Sequence, residues 1–343
     1  MDLLKEEFLD QLRAEIDEQT GKVIIEAAEF TPQQILQDIS ETTFTEVFTE
    51  WCENRRQERL DKADEILAKF GNEKRFRVIK SRFENGAIIP FVGAGMSMPS
   101  GYPSWTEFLY RLIDETTADK DQFLKFMESW QYEEAAQYIF DSMGKARFNE
   151  ELENEFGHDA PLLGAARFLP KLFKSSVITT NYDNVIKRCY ETEGKPFSDT
   201  LIGSEAIELP KLLGEEKNVL LKLHGKSNSS RNRILTLSEY NEHYENNEQL
   251  KKCMKALSTK TLLFMGCSLG IDRTVQALID IVSEADAGSL PKHYAFLHLS
   301  DENERVPKAE QLAKANIYPI WYTDDHDESI EALLEKLTEG VNQ

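Results

Sequence analysis

Short apolar runs alternate with longer stretches of helical periodicity over most of the chain. Six runs of five or six residues have the length and composition of β-strands, and they cover residues 87–92, 176–180, 219–223, 261–265, 294–299 and 317–322. Strands that alternate with helical segments are typical of a parallel sheet, because parallel neighbours need a crossover connection. The pattern therefore predicts an α/β fold, with a mostly parallel sheet and helices on both of its faces.

Two stretches do not follow this alternation. Residues 1–80 are dense in Glu, Lys, Gln and Leu, and apolar positions such as Leu60, Ala63 and Ile66 recur at helical spacing. They predict a helical N-terminal extension before a main domain of residues 81–343. The interval of about 105–174 is too long for one crossover helix, so it predicts a helical subdomain inserted between the first two strands.

Composition and charge narrow the class of protein. The chain has 343 residues and a formal net charge of −21, so direct binding to a nucleic-acid backbone is not expected. Its apolar runs are far shorter than the ~20 residues that span a bilayer, and its first residues lack the pattern of a secretory signal. We therefore expect a cytoplasmic protein without membrane contact. The four cysteines are widely separated, which predicts neither disulfides nor a metal site.

A glycine-rich turn follows the first predicted strand and precedes a helical pattern. This order of strand, turn and helix is the usual setting for phosphate binding, because glycine lets the backbone approach a pyrophosphate while amides donate to it. The candidate binding residues are Gly93, Ala94, Gly95 and Ser97. The third glycine of the usual dinucleotide fingerprint is absent, so an ordinary strand-to-helix turn is the alternative.

Polar residues follow the second and third predicted strands. Thr180, Asn181 and Asp183 come after the second strand, where an open α/β sheet binds its ligands. Asn181 could orient ribose hydroxyls or a water molecule, or it could be a turn residue, whereas Asp183 could contact a ribose or cap the next helix. His224 ends the third strand and could take a proton from a hydroxyl or water, with a structural histidine as the alternative.

A second glycine-bearing turn follows the fourth predicted strand. Gly266, Ser268 and Asp272 are its candidate ligand contacts, although Asp272 could instead cap the next helix. Cys267 has no base beside it in sequence, so it is expected to line the site and not to act as a nucleophile. Because the carboxyl ends of parallel strands share one edge, the four turns together predict a dinucleotide site at that edge.

The order of these motifs resembles the sirtuin superfamily, and in particular the sirtuin-like domains of bacterial antiphage defence systems. The resemblance covers about residues 81–330 and rests on Gly-Ala-Gly-Met-Ser at 93–97, Thr-Asn-Tyr-Asp at 180–183, Leu-His-Gly at 223–225 and Gly-Cys-Ser-Leu at 266–269. At two places the sequence differs from the protein deacylases of this family. The four-cysteine zinc module of the family's deacylases is missing, with only Cys253 in that interval, and residues 226–230 replace their substrate-binding segment.

The resemblance implies a Rossmann-like fold and an enzyme for which NAD is the substrate, without a metal ion. The implied reaction is hydrolysis of the nicotinamide–ribose bond, with Asn181 and His224 as catalytic residues. Its implied role is NAD depletion in abortive infection. One alternative is a non-catalytic module that senses NAD or ADP-ribose. The other is an NAD-dependent protein deacylase, against which the missing cysteines argue.

Control of this activity is also expected, since an uncontrolled NADase would kill its own cell. The resemblance implies homo-oligomers and defence partners such as a hexameric translocase-type ATPase, an argonaute-like protein or a nucleotide-binding oligomerising ATPase. The helical residues 1–80 are the candidate contact for an oligomer or a partner.

Overall fold

Seven strands form one parallel sheet in the computed structural model of the chain, which describes residues 5, 8–9, 23–25, 28–30, 34, 41–229, 233–270, 273–286 and 288–340. Before the sheet, β1 (Val23–Ile25) and β2 (Ala28–Phe30) pair with each other in antiparallel orientation. The strands of the sheet are β3 (Ile88–Val92), β4 (Val177–Thr179), β5 (Asp199–Ile202), β6 (Val219–Lys222), β7 (Thr261–Met265), β8 (His293–His298) and β9 (Ile317–Tyr322).

Helices precede the sheet, connect its strands and cover its faces. Their bounds are α1 (Glu41–Ala68), α2 (Asn72–Glu84), α3 (Trp105–Asp114), α4 (Lys120–Glu128), α5 (Tyr132–Met143), α6 (Lys145–Phe156), α7 (Leu169–Leu172), α8 (Val185–Thr192), α9 (Leu209–Gly214), α10 (Leu237–Tyr244), α11 (Glu248–Leu257), α12 (Arg273–Glu284), α13 (Arg305–Lys314) and α14 (His326–Thr338). Helices α3 to α7 lie between β3 and β4, which confirms the predicted helical insertion. None of the helices within the described ranges has the length and apolar character needed to cross a bilayer.

The strand order across the sheet is β5-β6-β4-β3-β7-β8-β9. All six predicted strands are confirmed, with each bound within one residue of the prediction. The sequence did not predict β5, because this strand lies at an edge and Leu201 is its one fully buried side chain. The chain crosses from one side of β3 to the other between β6 and β7. Open α/β sheets bind ligands at the carboxyl ends of the strands beside such a switch point.

Apolar side chains cover both faces of the sheet, because successive residues of a strand point to opposite sides. On β3, Ile88 and Val92 belong to the apolar cluster of one face. Ile89 and Phe91 belong to the cluster of the other face. The central strands are therefore apolar at nearly every position, as expected for a parallel sheet that is buried on both sides.

The two helices that precede the sheet pack beside β9. Asn72, the first residue of α2, is fully buried, and its side chain donates to Trp321 O at 2.8 Å and to Ile66 O at 2.9 Å. Its Oδ1 accepts from the Trp321 amide at 3.0 Å. The two bonds to Trp321 connect residues on both sides of the predicted boundary at residue 81. The role of residues 1–80 as a partner contact stays a prediction.

Acid should weaken this fold through His293 on β8. The side chain is fully buried, and its Nδ1 accepts a hydrogen bond from the Leu262 amide at 3.3 Å. Burial lowers the pKa of His293 from 6.5 to about 4. The unfolded chain therefore binds a proton that the folded chain excludes. The stabilising contribution is complete above pH 6.5 and is lost as the pH falls towards 4.

Urea unfolding at several pH values measures this contribution. Between pH 7 and pH 5 the wild-type protein should lose about 2 kcal/mol more unfolding free energy than His293→Asn, which keeps an acceptor but does not titrate. Equal losses in the two proteins would contradict the assignment to His293.

Candidate active site

The strand register brings the four predicted turns to one edge of the sheet. Val92 pairs with both Thr179 and Met265, and Thr179 also pairs with Lys222. Six predicted site residues follow these paired positions within two residues, namely Gly93, Ala94, Thr180, Asn181, His224 and Gly266. Residues from four separate segments of the chain therefore meet at the carboxyl ends of β3, β4, β6 and β7.

The two glycine-bearing turns pack directly against each other. The Gly93 amide donates to Met265 O and the Gly95 amide donates to Gly266 O, each at 2.9 Å. A Cβ atom added to Gly93 would lie 2.5 Å from Gly266 O and 2.8 Å from Cys267 Sγ. Gly266 has a φ of +67°, in the left-handed region that favours glycine. The close contact between the turns is thus a physical reason for glycine at both positions.

The first glycine turn, which was expected to bind a pyrophosphate, already uses its backbone amides within the protein. The amides of Gly93, Gly95, Met96 and Ser97 all donate to carbonyl oxygens of the protein. An amide that is already bonded cannot donate to a phosphate unless the turn rearranges. Packing alone explains the glycines, and pyrophosphate binding by this turn, including Ala94, stays a prediction.

Gly93→Ala should destabilise the protein by about 1–3 kcal/mol, the usual cost of overpacking a close contact. The new Cβ would approach Gly266 O, a backbone atom that cannot move without shifting its turn. Gly214→Ala is the control, because an added Cβ there has no heavy atom of the described residues within 4 Å. Thermal unfolding of both variants tests this expectation, and equal stability of the two would refute it.

Asn181 connects the end of β4 to the first glycine turn. Its side chain is 6% exposed, and its Nδ2 donates to Gly93 O and to Ser97 Oγ, both at 3.0 Å. Its backbone amide donates to Thr179 Oγ1 at 3.0 Å, which fixes the backbone where the strand ends. The protein therefore holds Asn181 in one orientation against the turn.

A buried lysine supports the segment that follows Asn181. Lys222 is 2% exposed, and its Nζ donates to Tyr182 O at 3.0 Å and to Asp183 O. Burial lowers the pKa of Lys222 to about 8, against the opposing effect of the nearby Asp183 carboxylate. The ammonium group thus ties β6 to the turn after β4.

Two tyrosines enclose His224 at the end of β6. His224 is 9% exposed, with its Nε2 2.7 Å from Tyr244 Oη and its Nδ1 3.4 Å from Tyr240 Oη. Tyr244 Oη also lies 3.2 Å from Thr274 Oγ1. Burial lowers the pKa of His224 to about 3, with a smaller contribution from His243. The imidazole is therefore neutral at physiological pH and has one nitrogen that can accept a proton.

The remaining predicted ligand-contact residues are Asp183, Thr180, Ser268 and Asp272. Asp183 lies one residue before Asn184, the N-cap of α8, and it accepts a hydrogen bond from the Val185 amide at 2.9 Å, which is an Asx turn that leads into the helix. Thr180 is half-buried and Ser268 is exposed on the second glycine turn. Asp272 lies outside the described residues. Ribose or phosphate contacts for these residues stay predictions.

Sequence reasoning missed three residues of this site, namely Lys222, Tyr240 and Tyr244. A lysine within an otherwise apolar strand was one available signal. The capping box of Thr236 and Glu239 marks the start of α10, and it places the two tyrosines one turn apart on that helix. That this helix faces His224 required the tertiary structure.

Comparison with known proteins agrees with the sequence resemblance. Residues 175–320 match the family model described as a SIR2-like domain. The NAD(+) hydrolase ThsA of Cytobacillus dafuensis is 28% identical over 235 residues, which are 68% of this chain and 45% of that protein. ThsA of Acinetobacter baumannii (strain 532279) is 30% identical over 193 residues, or 56% of this chain and 38% of that protein. Defense-associated sirtuin 2 of Bacillus subtilis is 26% identical over 274 residues, or 75% of this chain and 26% of that protein.

The matched part of the chain contains most of the candidate site. The range 175–320 begins just before β4 and ends within β9, so it includes Asn181, His224 and the second glycine turn. The first glycine turn lies before it. The chain spans less than half the length of each of the three relatives.

Proposed function

We propose that the chain, whose residues 175–320 are similar to a SIR2-like domain, is an NAD+ glycohydrolase. It cleaves the nicotinamide–ribose bond and releases nicotinamide and ADP-ribose. One observation carries the proposal: Asn181 and His224 are both buried at the ends of adjacent parallel strands, beside two glycine turns. The activity named for the ThsA relatives supports the same reaction.

The proposed reaction needs few catalytic residues, so Asn181 and His224 can be sufficient for it. Nicotinamide leaves as a neutral molecule from a bond that is already cationic, so a strong general acid is not needed. The protein has to stabilise an oxocarbenium-like ribose and to orient a water molecule. Asn181 holds the ribose or the water, and the neutral His224 accepts the proton that the water loses. NAD+ and water then give nicotinamide, ADP-ribose and one proton.

Both proposed catalytic side chains are buried and bonded within the protein in this structure. Asn181 and His224 are 6% and 9% exposed, and hydroxyl or carbonyl groups of the protein engage their side-chain nitrogens. NAD+ therefore enters only after a rearrangement. Arg273, at the start of α12, is 2.7 Å from Glu133 of the helical insertion and 2.8 Å from Glu245. The pair with Glu133 ties the insertion to the start of α12, and we propose that opening of the site breaks it.

A closed site suits an enzyme that assembly or a partner switches on. The proposed biological role is antiphage defence through NAD depletion, in line with the name of the Bacillus subtilis relative. Homo-oligomerisation, or a partner such as a translocase-type ATPase or an argonaute-like protein, would open the site. The N-terminal residues 1–80 are the proposed contact for such an assembly.

Incubation of the purified chain with NAD+, alone and together with the product of its neighbouring gene, tests the proposal. Chromatography should detect nicotinamide and an equal amount of ADP-ribose in at least one of the two mixtures. Cyclic ADP-ribose as the co-product would replace hydrolysis with cyclisation. If neither mixture releases nicotinamide while calorimetry shows bound NAD+, a sensing module would replace the enzyme.

A further inference from the structure

The two phenols around His224 are not equivalent. Tyr240 and Tyr244 lie one turn apart on α10, with stacked rings whose centroids are 6.1 Å apart. Tyr244 Oη is 2.7 Å from Nε2, whereas Tyr240 Oη is 3.4 Å from Nδ1. The first distance is that of a strong hydrogen bond, and the second is beyond the usual range. Tyr244 is also buried, while Tyr240 is half-buried.

This difference decides which ring nitrogen can receive a proton. A neutral imidazole carries one hydrogen, so one nitrogen donates and the other accepts. The hydroxyl of Tyr244, which is the closer and more buried of the two, is hydrogen-bonded to Nε2. A substrate hydroxyl or a water molecule therefore reaches Nδ1 more easily, because it has to displace only the longer contact with Tyr240. Nδ1 can accept a proton only if Nε2 carries the hydrogen. Tyr244 Oη then accepts from Nε2, and its own hydroxyl donates to Thr274 Oγ1 at 3.2 Å.

We propose that Tyr244 is a positioning residue that holds His224 as the tautomer protonated at Nε2, with Nδ1 as the proton acceptor. The catalytic consequence rests on the proposed hydrolysis of NAD+. In that reaction the bond from ribose to nicotinamide breaks, and the water oxygen bonds to the ribose carbon while its proton moves to Nδ1. The imidazolium that forms keeps its hydrogen bond to Tyr244, which is stronger once the donor is charged. The proton then passes to solvent.

Tyr244→Phe and Tyr240→Phe form a matched pair, because each removes one hydroxyl and keeps the ring. Tyr244→Phe should lower kcat for nicotinamide release about 10–100-fold, through loss of a hydrogen bond to a charged ring. Tyr240→Phe should lower KM about fivefold, since the substrate no longer displaces a hydroxyl from Nδ1. Tyr110→Phe, with an exposed ring on α3, controls for the substitution itself. The reversed pattern, with kcat reduced in Tyr240→Phe and KM reduced in Tyr244→Phe, overturns the proposal.

Nitrogen-15 NMR of labelled histidine rings detects the tautomer without any turnover. The signals that disappear in His224→Gln identify the ring. The wild-type protein should show a protonated Nε2 and an unprotonated Nδ1, and Tyr244→Phe should shift the ring towards the other tautomer. Protonation at Nδ1 in the wild type, or no shift in Tyr244→Phe, overturns the positioning role. The expected tautomers in a protein that cleaves no NAD+ would overturn the proposed function and support the positioning role.

Discussion

His224→Ala and Asn181→Ala are each expected to lower the rate of nicotinamide release from NAD+ by about 10²–10⁴-fold, the usual contribution of a positioned acid–base group. His224→Ala removes the imidazole that burial keeps neutral and able to accept a proton. Asn181→Ala removes the proposed orienting group for the ribose, and it also removes the donor to Gly93 O and Ser97 Oγ that supports the glycine turn.

Steady-state kinetics together with thermal unfolding separate lost chemistry from lost structure. The fall should appear in kcat and should be larger than any loss of folded protein at the assay temperature can explain. His158→Ala is the control, because His158 is exposed. Its Nδ1 lies 3.3 Å from Asn154 O, and its ring packs against the ring of Tyr102. Full activity of His224→Ala would remove His224 from the mechanism, and an equal loss in His158→Ala would show that the effect is not specific to the site.

Glu331→Ala should lower the unfolding free energy by about 3–5 kcal/mol, because it removes the charge that Glu331 places beside two buried arginines. Glu331 on α14 is 7% exposed, and its Oε2 accepts from Arg59 Nε at 3.0 Å. Its Oε1 accepts from Arg167 Nη2 at 3.4 Å. Arg59 belongs to α1 and Arg167 to a short 3₁₀ helix before α7, so one buried carboxylate joins three separate parts of the chain.

A neighbouring surface pair on the same helix provides the comparison. Glu328 lies 2.5 Å from Lys62, also across α14 and α1, but the Glu328 side chain is 69% exposed. Glu328→Ala should therefore cost less than about 1 kcal/mol. Urea unfolding of both variants measures the difference. Losses of similar size would mean that burial does not set the strength of the contact between α1 and α14.

Local sequence signals were sufficient for most of the sheet. Apolar runs predicted β3, β4, β6, β7, β8 and β9, because a strand that is buried on both faces has little room for polar residues. The edge strand β5 escaped prediction because Leu201 is its one fully buried side chain. The antiparallel pair of β1 and β2, three residues each, lies in a stretch whose composition predicted helix.

The candidate site, like the sheet, was predicted only in part from the sequence. Sequence order alone indicated that Gly93, Asn181, His224 and Gly266 would meet, since each follows a predicted parallel strand and such strands end at one edge. The direct contact between Gly93 and Gly266 could not be predicted, because it depends on the packing of two strands that are far apart in the chain.

Local sequence was enough to predict six strands of the sheet and the turns that place an asparagine and a histidine after two of them. The environment of these two residues depends on how the whole chain packs. Tyr244 and Tyr240 reach His224 from a helix beyond the strand, and the surrounding burial lowers its pKa to about 3. Residue order sets local conformation through backbone preference and apolar pattern. Solvation, hydrogen-bond partners and pKa are set instead by atoms that come close only when the whole chain packs.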